Sequence, residues 1–309
     1  MKTETLIPIT EAQWLAWRAC DLTSTDTAAL FGCNPYVTAF ELHYRKAEGR
    51  PGAFEPNERM KWGQRLQAAI AAGIAEEQGW QVRPMTEYMR LPSERLGASF
   101  DFAIGDDGLL EVKNVDALQY RDGWLVDGDN VEAPPHIEIQ IQHQLLVSGR
   151  QYTYLGALIG GNRIVLQRRE PNEAVQSALL KKAKEFWARV DAGQPPPPDF
   201  LADAKFIARL YNYAEPGKLV DVDELPDAAA VAKLADAYRQ AQNAAKLAKA
   251  EQDSLKAQLL TKIGTAEKVR GDGFTISAGL IGPTTISYER EGYRDFRINW
   301  KKLATQSAV

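Results

Sequence analysis

Four consecutive prolines at positions 195–198 restrict the fold of this chain more than any other feature of its sequence. Proline lacks a backbone N–H and keeps the residue before it extended, so no helix or strand can continue through such a run. The chain has 309 residues, enough for two domains of ordinary size. The run therefore predicts a first domain over residues 1–200 and an extension over residues 201–309.

The composition is that of a globular protein, with 45% hydrophobic and 25% charged residues. The 37 Lys and Arg against 41 Asp and Glu give a net charge of -4, which argues against a protein that coats nucleic acid or membranes through bulk positive charge. The two cysteines, Cys20 and Cys33, fit neither a disulfide framework nor a zinc site. Without a leader pattern or a long apolar run, we expect a cytoplasmic protein that does not bind a membrane.

The first 200 residues mix helical and strand patterns. Apolar spacings of three and four predict helices over 11–18, 25–30, 39–48, 58–78, 136–146 and 172–190. β-Branched and apolar runs predict a three-strand meander within 81–126 and two further strands over 152–159 and 163–169. This order predicts an α/β (α+β) fold with a central mixed β-sheet flanked by helices.

The extension has a different pattern. Residues 226–263 carry a weak heptad-like seam, which predicts a long helical arm, and residues 271–300 read as β-hairpins. Such an arm could serve oligomerisation or the docking of a partner, or it could only stabilise the domain before it.

The segment SFDFAIGDDGLLEVKN places charged residues within apolar strands. Glu111 and Lys113 are two apart on one strand and share a face, while Val112 points into the core. A hairpin over residues 106–108 would bring Asp101 beside them, so two carboxylates would converge at a sheet edge as hard-oxygen ligands for Mg²⁺ or Mn²⁺. The alternative is a turn at Asp101 and a surface Glu111–Lys113 ion pair on an edge strand.

Several ordered segments, including LTSTDTAALFGCNPY, MKWGQRLQ, LGASFDFAI, GLLEVKN and IQIQHQLLVSG, extend this pattern over residues 14–200. Together they resemble the YqaJ-type viral recombinases of the phage lambda exonuclease family, which have the PD-(D/E)xK restriction-endonuclease-like core. By this resemblance Asp101, Glu111 and the Val112 carbonyl would bind metal, and Lys113 would act on the attacking water. Gln140 would lie beside them in the catalytic cluster, unless it is a surface amide.

The resemblance also implies a site for a 5′-terminal phosphate, formed by Arg18, Thr25 and Ser99. The alternatives are that Thr25 or Ser24 caps a helix and that Arg18 is an ordinary surface cation. In two places the sequence departs from the family. Gln67 replaces a glutamate near the metals, which would weaken a second metal position, and Ile137 replaces a tyrosine.

The activity implied is that of a Mg²⁺-dependent 5′-to-3′ exonuclease, with Mn²⁺ as a possible substitute. It would act on linear double-stranded DNA with a 5′-phosphorylated end and leave 3′ single strands for recombination by single-strand annealing. The implied partners are an annealing protein and two further copies in a ring-shaped homotrimer, in the cytoplasm of a host of a phage or prophage. The alternatives are a structure-specific endonuclease or nickase, and a non-catalytic DNA-binding assembly protein. The histidines are too scattered for a metal site, and we expect His143 on the helix surface.

Overall fold

The computed structural model describes residues 2–49, 57–289 and 292–299 and divides the chain into two units, Met1–Ile207 and Ala208–Val309. The helices are α1 (Glu11–Cys20), α2 (Thr27–Leu30), α3 (Ala39–Ala47), α4 (Glu58–Gln78), α5 (Ala117–Gly123), α6 (Pro135–Ser148), α7 (Glu173–Asp191), α8 (Ala204–Leu210) and α9 (Ala228–Ile263). The strands are β1 (Glu4–Leu6), β2 (Leu22–Thr23), β3 (Val82–Pro84), β4 (Tyr88–Leu91), β5 (Leu96–Ser99), β6 (Phe102–Ile104), β7 (Gly108–Val115), β8 (Leu125–Asp127), β9 (Asn130–Glu132), β10 (Tyr152–Ile159), β11 (Arg163–Arg169), β12 (Lys268–Gly271) and β13 (Phe274–Ser277).

The first unit contains a five-stranded mixed sheet in the order β11, β10, β7, β6, β3. Its central strands β7 and β10 are parallel, and the connection between them includes α5, the β8–β9 hairpin and α6. The remaining neighbours are antiparallel. Helices cover this sheet, so the predicted α/β class with a central mixed sheet is confirmed.

A second sheet has four strands in the order β1, β4, β5, β2. The chain passes from this sheet to the five-stranded one between Ser99, the last residue of β5, and Phe102, the first residue of β6. The predicted three-strand meander is therefore wrong, since it treated residues 96–104 as one strand of one sheet. Pairing with β4 and β2 keeps β5 in the four-stranded sheet, and a local apolar pattern carries no information about distant partners.

Helix α4 covers one face of the five-stranded sheet. Ile70 and Ile74 pack against Leu110 and Val112 of β7. Gly156 of β10 makes this close packing possible, because a Cβ atom there would lie 2.4 Å from Cδ1 of Ile74. The predicted bounds of this helix, 58–78, are confirmed.

Helix α6 covers the other face and also contacts β4 and β5 of the four-stranded sheet. Ile137, Ile141 and Leu145 join an apolar cluster with Leu155 of β10. The helix also buries four polar residues, namely Gln140, Gln142, His143 and Gln144. Since buried polar groups are costly without partners, this helix must hold a polar network inside the fold.

The proline run lies where regular structure stops. Helix α7 ends at Asp191, Gly193 adopts a left-handed φ of 63°, and residues 194–199 contain neither helix nor strand. Proline geometry accounts for this stop, as the sequence predicts.

In the second unit, α9 is 36 residues long and buries none of them. Its seam residues Leu234 and Leu255 are exposed. The hairpins predicted over 271–300 are wrong in number: the described part of this segment contributes β13 to one hairpin with β12, and residues 278–289 and 292–299 contain no strand. Residues 290, 291 and 300 lie outside the described residues. Gly279, Gly282 and Pro283 interrupt the apolar runs there, and short strands need partners to form.

Several small elements were not predicted, including β1, β2 and α8. Residues 117–132, for which no helix or separate hairpin was predicted, form α5 and the β8–β9 hairpin. Asp116 starts α5 by accepting the backbone N–H groups of Leu118 and Gln119. Among the described helices, none has the length and apolar character to cross a membrane.

Candidate functional site

Glu111 and Lys113 lie on β7, the middle strand of the five-stranded sheet. Both face α6, and Val112 between them packs on the α4 side. The alternative of a surface ion pair on an edge strand is therefore wrong, because Glu111 and Lys113 pair on a central strand. The expected position at a sheet edge is wrong for the same reason. β6 pairs with β7 only as far as Phe102 opposite Leu110, so the second half of β7 extends beyond β6. The site lies in the space that this short neighbour leaves.

Asp101 occupies the bend between β5 and β6, where the chain changes sheets. Its Oδ2 accepts the Val112 N–H at 2.8 Å, which fixes the carboxylate beside β7. Burial, and then the negative charge of Glu111, raises the pKa of Asp101 to about 7, although Lys113 and the Gln67 side chain act in the opposite direction. Two carboxylates are thus brought together here, as predicted.

Glu111 is only 3% exposed and accepts hydrogen bonds from three side chains. Lys113 Nζ and Gln140 Nε2 lie 2.5 and 2.6 Å from its Oε1 atom, and Gln144 Nε2 lies 2.8 Å from Oε2. Gln140 also accepts from Lys113 at 3.1 Å. A buried carboxylate that accepts hydrogen bonds from an ammonium and two amides is fixed in position.

Lys113 stays charged in this setting. Burial alone would lower its pKa, but the charges of Glu111 and Asp101 outweigh that effect and raise the pKa. Its side chain remains 26% exposed. The ammonium can therefore reach a bound water or a phosphate oxygen while it is held by Glu111.

The donors present fit a hard divalent cation. Asp101 and Glu111 supply carboxylates, and the Val112 carbonyl lies on the same side of β7 as its N–H, which bonds Asp101. Burial and then the charge of Glu111 raise the pKa of Asp101, and a bound cation would offset the repulsion between the two carboxylates. The described residues contain no cluster of three His, Cys, Asp or Glu that could hold a metal ion, and the Gln67 side chain, an uncharged amide, lowers the pKa of Asp101. Water or phosphate oxygens would have to complete the coordination.

Arg18 and Ser99 are connected through Trp14. The Arg18 guanidinium lies 4.5 Å from the centre of the Trp14 ring, and Trp14 Nε1 donates to Ser99 Oγ at 2.9 Å. The Trp14 ring thus positions the Arg18 guanidinium.

Thr25 lies near the same end of the four-stranded sheet. Strand β2 pairs Thr23 with Gly97, two residues before Ser99, and the Thr25 hydroxyl lies 3.1 Å from that of Thr23. Helix α2 has no side-chain cap, so the capping alternative is wrong. The structure brings the three residues to one region, and their binding of phosphate stays a prediction.

Lys46 supports this region from inside the unit. Its ammonium donates to the carbonyls of Arg18 and Asp21 at 2.8 and 2.6 Å and pairs with Asp26 at 2.8 Å. Asp21 in turn pairs with Arg90 at 2.6 Å. The backbone that carries Arg18 is therefore fixed by buried charges.

Gln144 was not predicted from the sequence, and His143 does not lie where it was predicted. Gln144 follows Gln140 by four residues, one helical turn, so the spacing could have found it. His143 is fully buried rather than on the surface, because α6 lies between two sheets; its Nε2 lies 3.0 Å from the Gly97 carbonyl, and burial lowers its pKa to about 4. The surface alternative for Gln140 is also wrong, and Ile137 is buried in an apolar cluster.

The stretch of sequence that contains these site residues matches a known family. Residues 13–151 match the model of the YqaJ-like viral recombinase domain. This stretch is therefore similar to a YqaJ-like viral recombinase domain. It contains Asp101, Glu111, Lys113, Gln140 and the unpredicted Gln144, and the predicted family resemblance is confirmed.

The chain also has a relative in Bacillus subtilis (strain 168), the protein YqaJ. The two chains are 28% identical over 216 residues, which is 68% of this chain and 66% of the relative, just under two thirds of its length. Among solved structures, the chain is similar to the alkaline exonuclease LHK-Exo of Laribacter hongkongensis, with 20% identity and a TM-score of 0.46 over 64% of this chain and 98% of that one. It is also similar to a phage-related exonuclease from Haemophilus somnus 129PT, with 13% identity and a TM-score of 0.39 over 61% and 91% of the two chains.

Proposed function

We propose that the recombinase-like domain is a metal-dependent nuclease that hydrolyses DNA. The observation that carries this proposal is the convergence of Asp101, Glu111 and Lys113 around the end of β6. Two carboxylates alone would repel, and an ammonium alone would be a structural counter-ion. Together with a strand carbonyl they form the donor set that a phosphodiester-cleaving site requires.

Asp101, Glu111 and the Val112 carbonyl would hold Mg²⁺, with Mn²⁺ as a substitute. When bound, the cation would polarise a phosphate oxygen and lower the pKa of a bound water. Lys113 would then orient that water toward the phosphorus, because its ammonium is fixed by Glu111 and Gln140 yet remains partly exposed. Gln140 would hold the Lys113 and Glu111 side chains in position relative to each other. Gln67, which has no charge, would leave a second metal position with less negative charge.

We further propose 5′-to-3′ exonuclease action on linear duplex DNA that leaves 3′ single strands for annealing. Support comes from Arg18, Thr25 and Ser99, which lie around the end of the strand that leads directly into Asp101. A guanidinium and hydroxyls suit a terminal phosphate monoester. The assembly that goes with this function would be a homotrimeric ring with an annealing protein as partner, in a host cytoplasm.

The test uses the full-length protein with Mg²⁺ and three substrates: linear duplex labelled at the 5′ ends, the same duplex labelled at the 3′ ends, and closed circular duplex. We expect early release of the 5′ label as mononucleotide, late release of the 3′ label and an intact circle. Equal cutting of the circle would instead support the endonuclease or nickase. Binding of DNA without hydrolysis in Mg²⁺ or Mn²⁺ would support the non-catalytic assembly protein.

A further inference from the structure

Tyr36 is a fixed aromatic side chain on the surface of the first unit. The residue is 80% exposed, yet its backbone is fixed by hydrogen bonds to the Asn34 side chain. Asn34 Oδ1 accepts the N–H groups of Tyr36 and Val37 at 2.8 and 3.2 Å, and Asn34 Nδ2 donates to the Thr25 carbonyl at 2.9 Å. An exposed ring on such a braced turn loses little freedom when it binds something.

The ring of Tyr36 lies against His136. The two ring centres are 6.2 Å apart and the planes are nearly perpendicular, at 89°. His136 belongs to the first turn of α6, one turn before Gln140, which contacts Glu111. Edge-to-face contact with His136 holds the Tyr36 ring in place and leaves most of its surface open to solvent.

This aromatic pair lies beside the charged site. Gln140, one turn after His136 on α6, accepts from Lys113 at 3.1 Å and donates to Glu111 at 2.6 Å. The ring pair therefore lies one helical turn from the amide that holds Lys113 and Glu111. Tyr36 is thus linked through Asn34 to the backbone of Thr25, in the predicted phosphate region, and through His136 to the start of α6.

A duplex end needs such a surface at a nuclease site. To bring its phosphate to Asp101 and Glu111, the terminal nucleotide must leave the base stack, which costs free energy. Aromatic side chains recover this cost by stacking on the freed base, and they accept all four bases because each has a π-face. We propose that Tyr36 stacks on the unpaired base at the 5′ end of the cut strand and that His136 holds the ring for it. This inference rests on the proposed nuclease function and adds a base-binding subsite to it.

The test is a double-mutant cycle between Tyr36 and the terminal base. Duplexes with either a normal or an abasic 5′-terminal nucleotide are bound to full-length protein in EDTA, and affinity is followed by fluorescence anisotropy. We expect Tyr36→Ala to weaken binding of the normal end about tenfold, Tyr36→Phe to restore it, and the abasic end to bind both wild type and Tyr36→Ala equally weakly. Tyr213→Ala, which removes a tyrosine that is 70% exposed in the second unit, should change nothing.

Equal weakening of both ends by Tyr36→Ala, or no weakening of either, would overturn the inference. Digestion in Mg²⁺ separates it from the proposed function. If wild type degrades linear duplex while the cycle shows no coupling, only the stacking role fails. If wild type degrades no DNA at all, the nuclease function fails, whereas coupling in EDTA would still establish the base subsite.

Discussion

Two polar groups of residues lie on either side of the bend at Asp101, and they differ in burial. In the group beside the five-stranded sheet, Glu111, Gln140 and Gln144 are buried, and each Glu111 carboxylate oxygen has a donor. The group on the four-stranded sheet, with Arg18 and Thr25, is half-exposed and held from below. A buried ionic network is costly to alter, whereas exposed groups contribute to binding separately. We therefore expect all-or-none effects on the first side and graded effects on the second.

The largest expected effect is that of Glu111→Gln. The neutral amide would lose one metal ligand charge and also present an NH₂ group to the amide donors of Gln140 and Gln144, so we expect hydrolysis of linear duplex to fall on the order of 10³-fold. Isothermal titration with Mg²⁺ should show the loss of binding. The control is Glu138→Gln. Glu138 lies on α6, the helix of Gln140 and Gln144, and its carboxylate pairs with Arg169 at 2.9 Å, so this change should leave hydrolysis intact. Equal activity in the two variants would remove the distinction drawn here.

The second effect is that of Gln144→Ala, which removes the amide that joins Glu111 to the Ser99 carbonyl across the two sheets. We expect Mg²⁺ affinity to fall about 30-fold, the range for residues that orient metal ligands. Gln142→Ala is the matched control, since Gln142 is a buried glutamine of the same helix that bonds the backbone of Glu170 and Asn172 instead. Both variants should lose some thermal stability. If both lose Mg²⁺ affinity to the same extent, Gln144 acts only through packing.

The third effect concerns pH and the metal-free protein. Burial and Glu111 raise the pKa of Asp101 to about 7 from 3.8, so the folded state holds this proton more tightly than the unfolded state. The free energy of unfolding should therefore fall as pH rises from about 4 to 7 and then level off for this group. Asp101→Asn removes the fall, and at pH 8 in EDTA we expect it to be stabilised relative to wild type by about 4 kcal/mol more than at pH 4. Chemical denaturation at both pH values measures this difference, and an equal one at both would contradict it.

The smallest effect is expected on the exposed side. Arg18→Ala should reduce the preference for 5′-phosphorylated over 5′-hydroxyl ends about tenfold, because one charge-assisted contact to the phosphate is lost. Competition between the two kinds of end measures the preference. Arg121→Ala changes an exposed arginine paired with Asp122 and serves as the control. An unchanged preference in Arg18→Ala would show that Arg18 does not bind the 5′-terminal phosphate, and only the buried group would then belong to the site.

The sequence predicted the parts of this site that depend on local pattern. The face shared by Glu111 and Lys113 follows from strand periodicity, and the bounds of α4, β10 and β11 follow from clear apolar patterns. Gln67 was expected near the metal ligands, and its side chain lowers the pKa of Asp101. The sequence did not predict the change of sheet at Asp101 or the burial of His143 on a helix between two sheets, because both depend on pairing between distant segments. The short helix α5 was not predicted for a different reason, since its seven residues are too few to show a helical period.

The most direct test of the central claim compares wild type with Lys113→Ala on linear duplex DNA, with Mg²⁺ and with EDTA. In this variant Glu111 keeps its bonds from Gln140 and Gln144, so the fold should be retained. Lys249→Ala, in an exposed pair with Asp253, controls for the loss of a lysine. We predict Mg²⁺-dependent hydrolysis by wild type and Lys249→Ala and none by Lys113→Ala, although all three bind DNA. Hydrolysis by Lys113→Ala at the wild-type rate would contradict the assignment of this site.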